Sequence, residues 1–260
     1  MMAAQQKPPI LRVEGLGVRY GALTALAEMS WSVREGEILG IIGPNGAGKS
    51  SCFAALTNSV SHAGDVYLAG EAVSSLATNE LAKRGVRRTF QQNSFFGELT
   101  VLENMLSVLV ENHSASLATS VFMPWRQMAI RERGIAIAEA VLERFGIPLT
   151  YYDRLPGEIP YGAQRLLSIA LAYGEGPRVL LLDEPAAGIG GTDMQHLLDV
   201  LLDLKRTGTP LVVIEHHMDL IMTIADRIVV IETGRLLAEG TPAEIQANPA
   251  VLDAYLGHAE

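Results

Sequence analysis

A glycine-rich segment in the first fifth of the chain has the composition of a loop that binds phosphate. The segment GPNGAGKS, from Gly43 to Ser50, fits the Walker A pattern G-x-x-x-x-G-K-[ST] and follows the apolar stretch EILGII. Glycines let successive backbone N–H groups converge on phosphate oxygens, and a helix that begins at the lysine adds its positive N-terminal end. We expect Lys49 to meet the β and γ phosphates of a nucleotide and Ser50 to bind magnesium through its hydroxyl. The strand before the loop and the helix after it favour this interpretation over a glycine-rich turn without a ligand.

A pair of adjacent carboxylates forms the second candidate group. The segment VLLLDEP, from Val179 to Pro185, is an apolar strand that ends in Asp183 and Glu184. Sheets of α/β proteins bind ligands at the carboxyl ends of their strands. We therefore predict that Asp183 holds magnesium and that Glu184 orients the attacking water as general base. Taken alone, such a pair is more often a helix cap, but the phosphate loop favours the catalytic interpretation.

The pattern of apolar residues predicts two kinds of strand. Short alternating segments indicate antiparallel strands, and they are Leu11–Val13, Val18–Tyr20, Ser30–Val33 and Val66–Leu68. Continuous apolar runs that alternate with helical patterns indicate a largely parallel sheet covered by helices, and they are Glu37–Ile42, Val179–Leu182, Leu211–Ile214 and Ile228–Ile231. The predicted fold is an α/β core with a β annex.

The middle of the chain carries helix signals and no strand signal. Between Gln91 and Gln164, Thr100 and Glu103 form a capping box, and Gly146 stands where a helix commonly ends. The segment from 111 to 128 is read as a loop or a short helix of its own. We infer an inserted helical subdomain.

The end of the chain carries a second capping box. Thr241 and Glu244 form the box with Pro242 at the first helical position, which predicts a short helical tail. The predicted domains are a nucleotide-binding core with the β annex and the tail, residues 1–90 and 165–260, and a helical subdomain, residues 91–164.

The composition excludes several classes of protein. With 260 residues, of which 48% are hydrophobic, the chain can bury a large core. Its net charge of −9 argues weakly against binding to nucleic acid. No apolar run is long enough to span a bilayer, no secretory signal is evident, and the single Cys52 allows no internal disulfide, so we expect a cytosolic chain. A basic cluster, Lys83, Arg84, Arg87 and Arg88, is interpreted as a solvated helix end, with a basic patch as the alternative. Cys52 is interpreted as a buried, slow thiol, with a nucleotide-sensing thiol as the alternative.

With these motifs, nearly the whole chain resembles the nucleotide-binding subunits of ATP-binding cassette (ABC) transporters. The resemblance implies a P-loop NTPase (RecA-like) core with an antiparallel β annex and an inserted α-helical subdomain. It also implies that Tyr20 stacks on adenine, that Gln91 in RTFQ contacts magnesium and the attacking water, and that His216 in VVIEHHMD contacts the γ-phosphate. His217 is the competing choice for that histidine, and ordinary packing is the competing role for Tyr20.

The residues that the motifs and the resemblance together predict form three groups. The nucleotide-binding residues are Tyr20, Gly43, Pro44, Asn45, Gly46, Ala47, Gly48, Lys49, Ser50, Ser51, Tyr161 and Gly162. The catalytic residues are Glu184, His216 and Gln91, and the magnesium ligands are Ser50, Gln91 and Asp183. The cofactors are ATP and Mg²⁺, and the predicted reaction is hydrolysis of MgATP.

Two motifs depart from the family pattern. The signature, commonly LSGGQ, is IPYGA from Ile159 to Ala163, and the D-loop after Pro185 reads AAGIGG with Gly190 where an acid or amide is common. In this family the signature serves the ATP held by the opposite subunit. Pro160 lacks both a hydroxyl and an N–H, and Ala163 lacks a side-chain amide. We therefore expect a heterodimer with a second cassette whose signature is intact, while a homodimer stays open.

Further segments resemble the subgroup that takes up branched-chain amino acids and amides. They are RTFQ, FFGELTVLEN, LDEPAAGI, VVIEHHMDLI and the ending EGTPAEIQANPAVLDAYLG. The resemblance implies an importer ATPase that binds membrane permease subunits, peripheral on the cytoplasmic side of the inner membrane, without nucleic acid. Two alternatives are a soluble cassette that acts on nucleic acid in translation or repair, and a cassette that binds ATP as a switch without turnover.

Overall fold

The computed structural model describes residues 8–90, 94–113 and 124–256. By its internal contacts the chain divides into two compact units, which we call the sheet unit (1–88, 177–185 and 201–260) and the helical unit (89–176 and 186–200). These boundaries differ from the predicted ones because residues 89–90, 165–176 and 186–200 belong to the helical unit. The helix Tyr161–Tyr173 is continuous, so a boundary at 165 would cut through it.

The sheet unit contains two sheets. The strands are β1 (Leu11–Tyr20), β2 (Leu23–Val33), β3 (Ile38–Ile42), β4 (Ala63–Leu68), β5 (Glu71–Ala72), β6 (Val86–Arg88), β7 (Val179–Asp183), β8 (Leu211–Ile214), β9 (Arg227–Glu232) and β10 (Arg235–Gly240). The first sheet is antiparallel, in the order β2-β1-β4-β5. The second has the order β10-β9-β3-β8-β7-β6, and all its pairs are parallel except β10 with β9. An α/β core with an antiparallel annex is therefore confirmed.

The first strand is longer than its pattern predicts. The two predicted segments form one strand, β1, whose pairing with β2 shifts register between Val13 and Arg19. Gly15 within this stretch has φ +61°, which a glycine adopts at little cost. The irregular stretch breaks the alternation of apolar residues, so the pattern resembled two strands.

The helices of the sheet unit cover the central sheet. They are α1 (Lys49–Leu56), α2 (Thr78–Lys83), α7 (Met218–Ile224), α8 (Pro242–Gln246) and α9 (Pro249–Leu256). One buried core joins α1, the annex and the face of β3 that carries Leu39 and Ile41. On strand β3, Gly40 allows α7 to approach closely, because a Cβ there would lie 2.9 Å from Ile221 Cγ2. None of the helices among the described residues is long and apolar enough to cross a membrane.

The predicted basic cluster does not form a single helix end. Lys83 ends α2 and Arg84 is its C-cap residue, as predicted. Arg87 and Arg88, in contrast, lie on the short strand β6, which pairs with β7. The prediction was wrong for these two residues because a strand of this length carries almost no periodic signal.

The helical unit contains α3 (Val101–His113), α4 (Pro124–Arg144), α5 (Tyr161–Tyr173) and residues 191–200 of α6 (Gly191–Arg206), and it has no strand among its described residues. The first capping box is confirmed, since the Glu103 N–H donates to Thr100 Oγ1 at 3.2 Å and the Thr100 N–H to Glu103 Oε2 at 2.9 Å. Gly146 follows α4 with φ +66°, as predicted. The segment from 111 to 128 was predicted to be a loop or a short helix of its own, but residues 111–113 end α3 and residues 124–128 begin the long helix α4. Residues 114–123 lie outside the described residues.

The C-terminal tail begins as predicted. Thr241 is the N-cap of α8, with Pro242 in the first turn, and the Thr241 N–H donates to Glu244 Oε2 at 2.7 Å. Hydrogen bonds from the backbone and the side chain of Thr241 to the Glu244 carboxylate hold the pKa of that group below its ordinary value.

Candidate nucleotide site

The glycine-rich loop connects the end of β3 to the start of α1. Gly43, Gly46 and Gly48 all have positive φ, and Gly48 is the N-cap residue of α1. A Cβ at Gly43 would lie 2.0 Å from the carbonyl oxygen of Ile231, and one at Gly48 would lie 2.5 Å from that of Ala25. Only glycine fits at these two positions, and the positive φ angles give the loop the backbone conformation in which N–H groups can converge on a phosphate.

A turn far away in sequence holds the loop in place. The N–H of Gly234, in the turn between β9 and β10, donates to the carbonyl of Ala47 at 2.9 Å. The carbonyl of Gly234 in turn accepts a hydrogen bond of 2.8 Å from the N–H of Ala27. Gly234 therefore ties the loop to the annex, a role that its local sequence did not reveal.

Lys49 lies with its charge at the loop. Its Nζ donates to the carbonyl oxygens of Gly43 at 2.7 Å and Pro44 at 3.0 Å. Burial lowers the pKa of Lys49 from its ordinary value, and the nearby carboxylates of Glu184 and Asp183 oppose that shift. Ser50, next on α1, is exposed, so its hydroxyl is accessible to a ligand.

The two predicted acids follow one another at the end of β7. Asp183 is 2% exposed and accepts a hydrogen bond of 2.7 Å from Arg88. Glu184 has φ +47°, which costs on the order of 1–3 kcal/mol for a residue other than glycine. Its N–H donates to the carbonyl of Ile214 at 2.9 Å, which ties the bend to the end of β8. The strained bend turns the Glu184 side chain out of the sheet, where it is 25% exposed.

Two histidines follow β8 and are anchored by a buried acid. Glu215 is fully buried, and its Oε2 accepts hydrogen bonds from the N–H groups of His216 at 3.0 Å and His217 at 3.2 Å. His216 Nδ1 lies 3.7 Å from Glu184 Oε1, whereas His217 Nδ1 lies 3.2 Å from Glu215 Oε2. The His216 ring therefore lies beside Glu184, whereas the His217 ring lies beside Glu215.

The strand order explains why these groups meet. Strands β3, β8 and β7 are neighbours and parallel, so their carboxyl ends lie at one edge of the sheet. Lys49, Asp183, Glu184 and His216 are thus brought together from distant parts of the sequence. A positive ammonium, an accessible hydroxyl and an oriented carboxylate at one edge can bind a phosphate chain and activate water.

Other predicted residues lie elsewhere. Tyr20, at the end of β1, is 47% exposed, which makes ordinary packing a poor account of it. Gln91 lies outside the described residues.

The signature residues lie in the helical unit. Pro160 is the N-cap of α5, and the Tyr161 hydroxyl, on a side chain 47% exposed, donates to the Ala187 carbonyl at 3.3 Å. Gly162 is buried, and a Cβ there would lie 2.2 Å from Asp193 Oδ2. Glycine at 162 thus permits close packing inside the unit.

The comparisons with known proteins agree with this geometry. The family model described as ABC transporter matches residues 26–187, and a second, described as branched-chain amino acid ATP-binding cassette transporter, matches residues 235–260. The chain is 38% identical over 253 residues to the high-affinity branched-chain amino acid transport ATP-binding protein LivG of Salmonella typhimurium, covering 96% of this chain and 99% of that protein. It is 37% identical over 253 residues to the corresponding protein BraF of Pseudomonas aeruginosa, with the same coverage.

Solved structures give the same result. A nucleotide-free ATP-binding cassette from an ABC transporter superposes with a TM-score of 0.82 at 30% identity, covering 95% of this chain and 99% of that one. A cassette in its ADP conformation superposes with a TM-score of 0.81 at 29% identity, covering 97% of this chain and 100% of that one.

The chain therefore belongs to the ABC transporter family, as the ATP-binding cassette with a P-loop NTPase fold. It is an ATPase of the branched-chain amino acid subgroup, whose C-terminal segment it shares. Cassettes of this family work as dimers with membrane permease components.

Proposed function

We propose that this chain is the ATPase subunit of an importer for branched-chain amino acids or related small amides. The observation that carries the substrate class is the match of residues 235–260 to the subgroup's C-terminal model, together with near full-length similarity to LivG and BraF. We place the chain peripherally on the cytoplasmic side of the inner membrane, bound to permease subunits. The acidic net charge of −9 argues against the alternative of a cassette that acts on nucleic acid.

The residues at the site fit magnesium as well as ATP. Magnesium prefers oxygen ligands, and the Ser50 hydroxyl on the first turn of α1 and the Asp183 carboxylate at the end of β7 supply them. Gln91 is assigned to the same set by its motif. When bound, the ion neutralises charge on the phosphates.

The chain's own groups divide the remaining work. Backbone N–H groups of the segment from Gly43 to Ser51, in which Pro44 has none, bind the phosphates together with the Lys49 ammonium. The exposed Tyr20 ring stacks on adenine. Glu184 accepts the proton of the attacking water, with His216 beside it for the γ-phosphate. The retained Glu184 argues against a cassette that binds ATP without turnover.

The altered signature supports a heterodimer in which this chain supplies the productive ATP site. Tyr161 and Gly162 lie in the first turn of α5, where the backbone N–H groups have no acceptor within the helix. These two residues serve the ATP of the opposite subunit. Pro160 offers neither N–H nor hydroxyl there. The loss of one hydrogen bond to a charged group costs about 1.5–3 kcal/mol, which is about ten- to over a hundredfold in rate. A homodimer would carry this defect at both sites.

The test compares the steady-state ATPase of this chain alone with that of the assembly purified from its native membrane. We expect the assembly to contain a second cassette and to hydrolyse ATP at least about tenfold faster per site. Pro160→Ser with Ala163→Gln should raise the rate of the isolated chain. Ala77→Ser is the matched control, because Ala77 is the uncapped N-cap of α2 in the sheet unit. If the isolated chain is as fast as the assembly and the restored signature changes nothing, the heterodimer is contradicted.

The substrate is tested separately in proteoliposomes that contain the native assembly. We expect ATP-dependent uptake of leucine, isoleucine, valine or a small amide such as acetamide, and none of glutamate. Uptake of glutamate alone would contradict the substrate class while leaving the ATPase assignment intact.

A further inference from the structure

Three consecutive residues after β8 place metal-binding atoms close together. The carboxylate of Glu215 and the imidazoles of His216 and His217 each have a ligand atom within 4.8 Å of the other two. Glu215 Oε2 lies 3.2 Å from His217 Nδ1 and 4.0 Å from His216 Nδ1. Two imidazoles and a carboxylate are the ligand set of many zinc sites.

A fourth group comes from the neighbouring strand. Glu184 Oε1 lies 3.7 Å from His216 Nδ1. In a tetrahedral site with bonds of about 2.0–2.2 Å, neighbouring ligand atoms stand about 3.3–3.6 Å apart. Three of the six separations among the four ligand atoms, 3.2, 3.7 and 4.0 Å, surround that range, and the fourth group adjoins the other three through His216.

We propose that Glu184, Glu215, His216 and His217 form a binding site for a divalent cation of the zinc class in the nucleotide-free chain. This site is distinct in chemistry from the magnesium site, because imidazole nitrogens suit zinc whereas magnesium takes oxygen ligands. His217 belongs to the zinc site alone.

Burial and exposure are arranged as a metal site requires. Glu215 is fully buried and fixed by the two backbone N–H groups that it accepts, so its carboxylate is held in one orientation. The His216 and His217 side chains are 50% and 41% exposed, so an ion can reach them without unfolding of the chain. The two backbone N–H groups thus act as the outer partners that orient a metal ligand, here the Glu215 carboxylate.

Occupancy has a consequence for ATP hydrolysis. A cation held by Glu184 and His216 withdraws the two groups that the proposed mechanism assigns to water and to the γ-phosphate. Zinc and MgATP therefore compete at this edge of the sheet, and bound zinc inhibits ATP hydrolysis reversibly. This consequence depends on the proposed roles of the two residues, whereas the binding site itself does not.

The experiment measures binding of Zn²⁺ to the untagged, nucleotide-free chain by competition with a chromophoric zinc chelator. We expect the parent protein to bind one equivalent of Zn²⁺ tightly. His217→Gln removes a ligand and should weaken that equivalent by at least about a hundredfold, since loss of a mere outer partner costs 10–100-fold. His62→Gln is the matched control, because His62 also bonds a side chain, Asn58 Oδ1 at 3.0 Å, in the annex.

Two results would overturn the proposal. One is unchanged zinc affinity in His217→Gln, and the other is an equal loss in His62→Gln, which would mark nonspecific surface binding. A saturating MgATP concentration should weaken zinc binding in the parent protein, and no effect of MgATP would contradict the shared use of Glu184 and His216. Because binding is read without hydrolysis or a partner chain, a negative result leaves the proposed function untouched.

Discussion

The ion pair between Arg88 and Asp183 should matter far more for stability than a surface pair of identical length. Both Arg88–Asp183 and Arg84–Glu71 have a closest distance of 2.7 Å. The side chains of the first pair are 14% and 2% exposed, and those of the second are 45% and 72% exposed. Arg88→Met keeps an apolar chain but leaves the buried carboxylate without its guanidinium, and Arg84→Met is the matched control.

The expected difference follows from burial. Removal of one partner from a buried pair costs about 3–5 kcal/mol, and we take about 3 kcal/mol because Asp183 has further interactions. An exposed pair contributes about 0–1 kcal/mol. For a chain of this size class, each kcal/mol of lost stability lowers Tm by about 2–4 °C. Arg88→Met should therefore lower Tm by about 6–12 °C, and Arg84→Met by at most about 4 °C.

The assay is thermal unfolding followed by far-ultraviolet circular dichroism, supported by urea titration. Adding Asp183→Asn to Arg88→Met should recover part of the loss, because the buried charge is then removed. Equal Tm values for Arg88→Met and Arg84→Met, or no recovery in the double variant, would refute the reasoning from burial.

Three further predictions concern the loop and its helix. Burial raises the pKa of Cys52 to about 12, so iodoacetamide should label it at pH 8 far more slowly than a solvent-exposed thiol. Fast labelling that MgATP leaves unchanged would contradict a buried thiol. Gly43→Ala should reduce ATP affinity at least tenfold more than Gly46→Ala in a fluorescent-nucleotide titration. The reason is that a Cβ at Gly43 would lie 2.0 Å from a backbone oxygen, whereas one at Gly46 would have no atom within 4 Å. Equal losses of affinity in the two variants would contradict this steric argument. Lys49→Ala should abolish tight nucleotide binding in the same titration, and retained affinity would remove the lysine from the phosphate site.

Local patterns were sufficient to predict the elements that carry the site. The run Leu211–Ile214 is a strand with the predicted bounds, and the lysine of the loop begins α1 as predicted. Buried parallel strands are continuous apolar runs, and capping residues act over a single turn, so both kinds of signal are contained in short segments.

The supports of the site could not be predicted from short segments. Arg88 and Asp183 are separated by 95 positions, and Gly234 meets Ala47 from the other end of the chain. Glu215 lies next to the predicted histidine, but only the structure shows that its carboxylate is fully buried and turned toward two backbone N–H groups. These contacts depend on strand order, which a single sequence does not specify.

The most direct test of the assignment of the site is the steady-state ATPase rate of Glu184→Gln in the native assembly, with nucleotide binding measured on the same sample. General-base catalysis contributes about 10²–10⁴-fold, so we predict a rate at least about a hundredfold lower with ATP still bound and the dimer closed. A variant that turns over ATP as fast as the parent protein would contradict the account, because Glu184 would then not be the group that activates water.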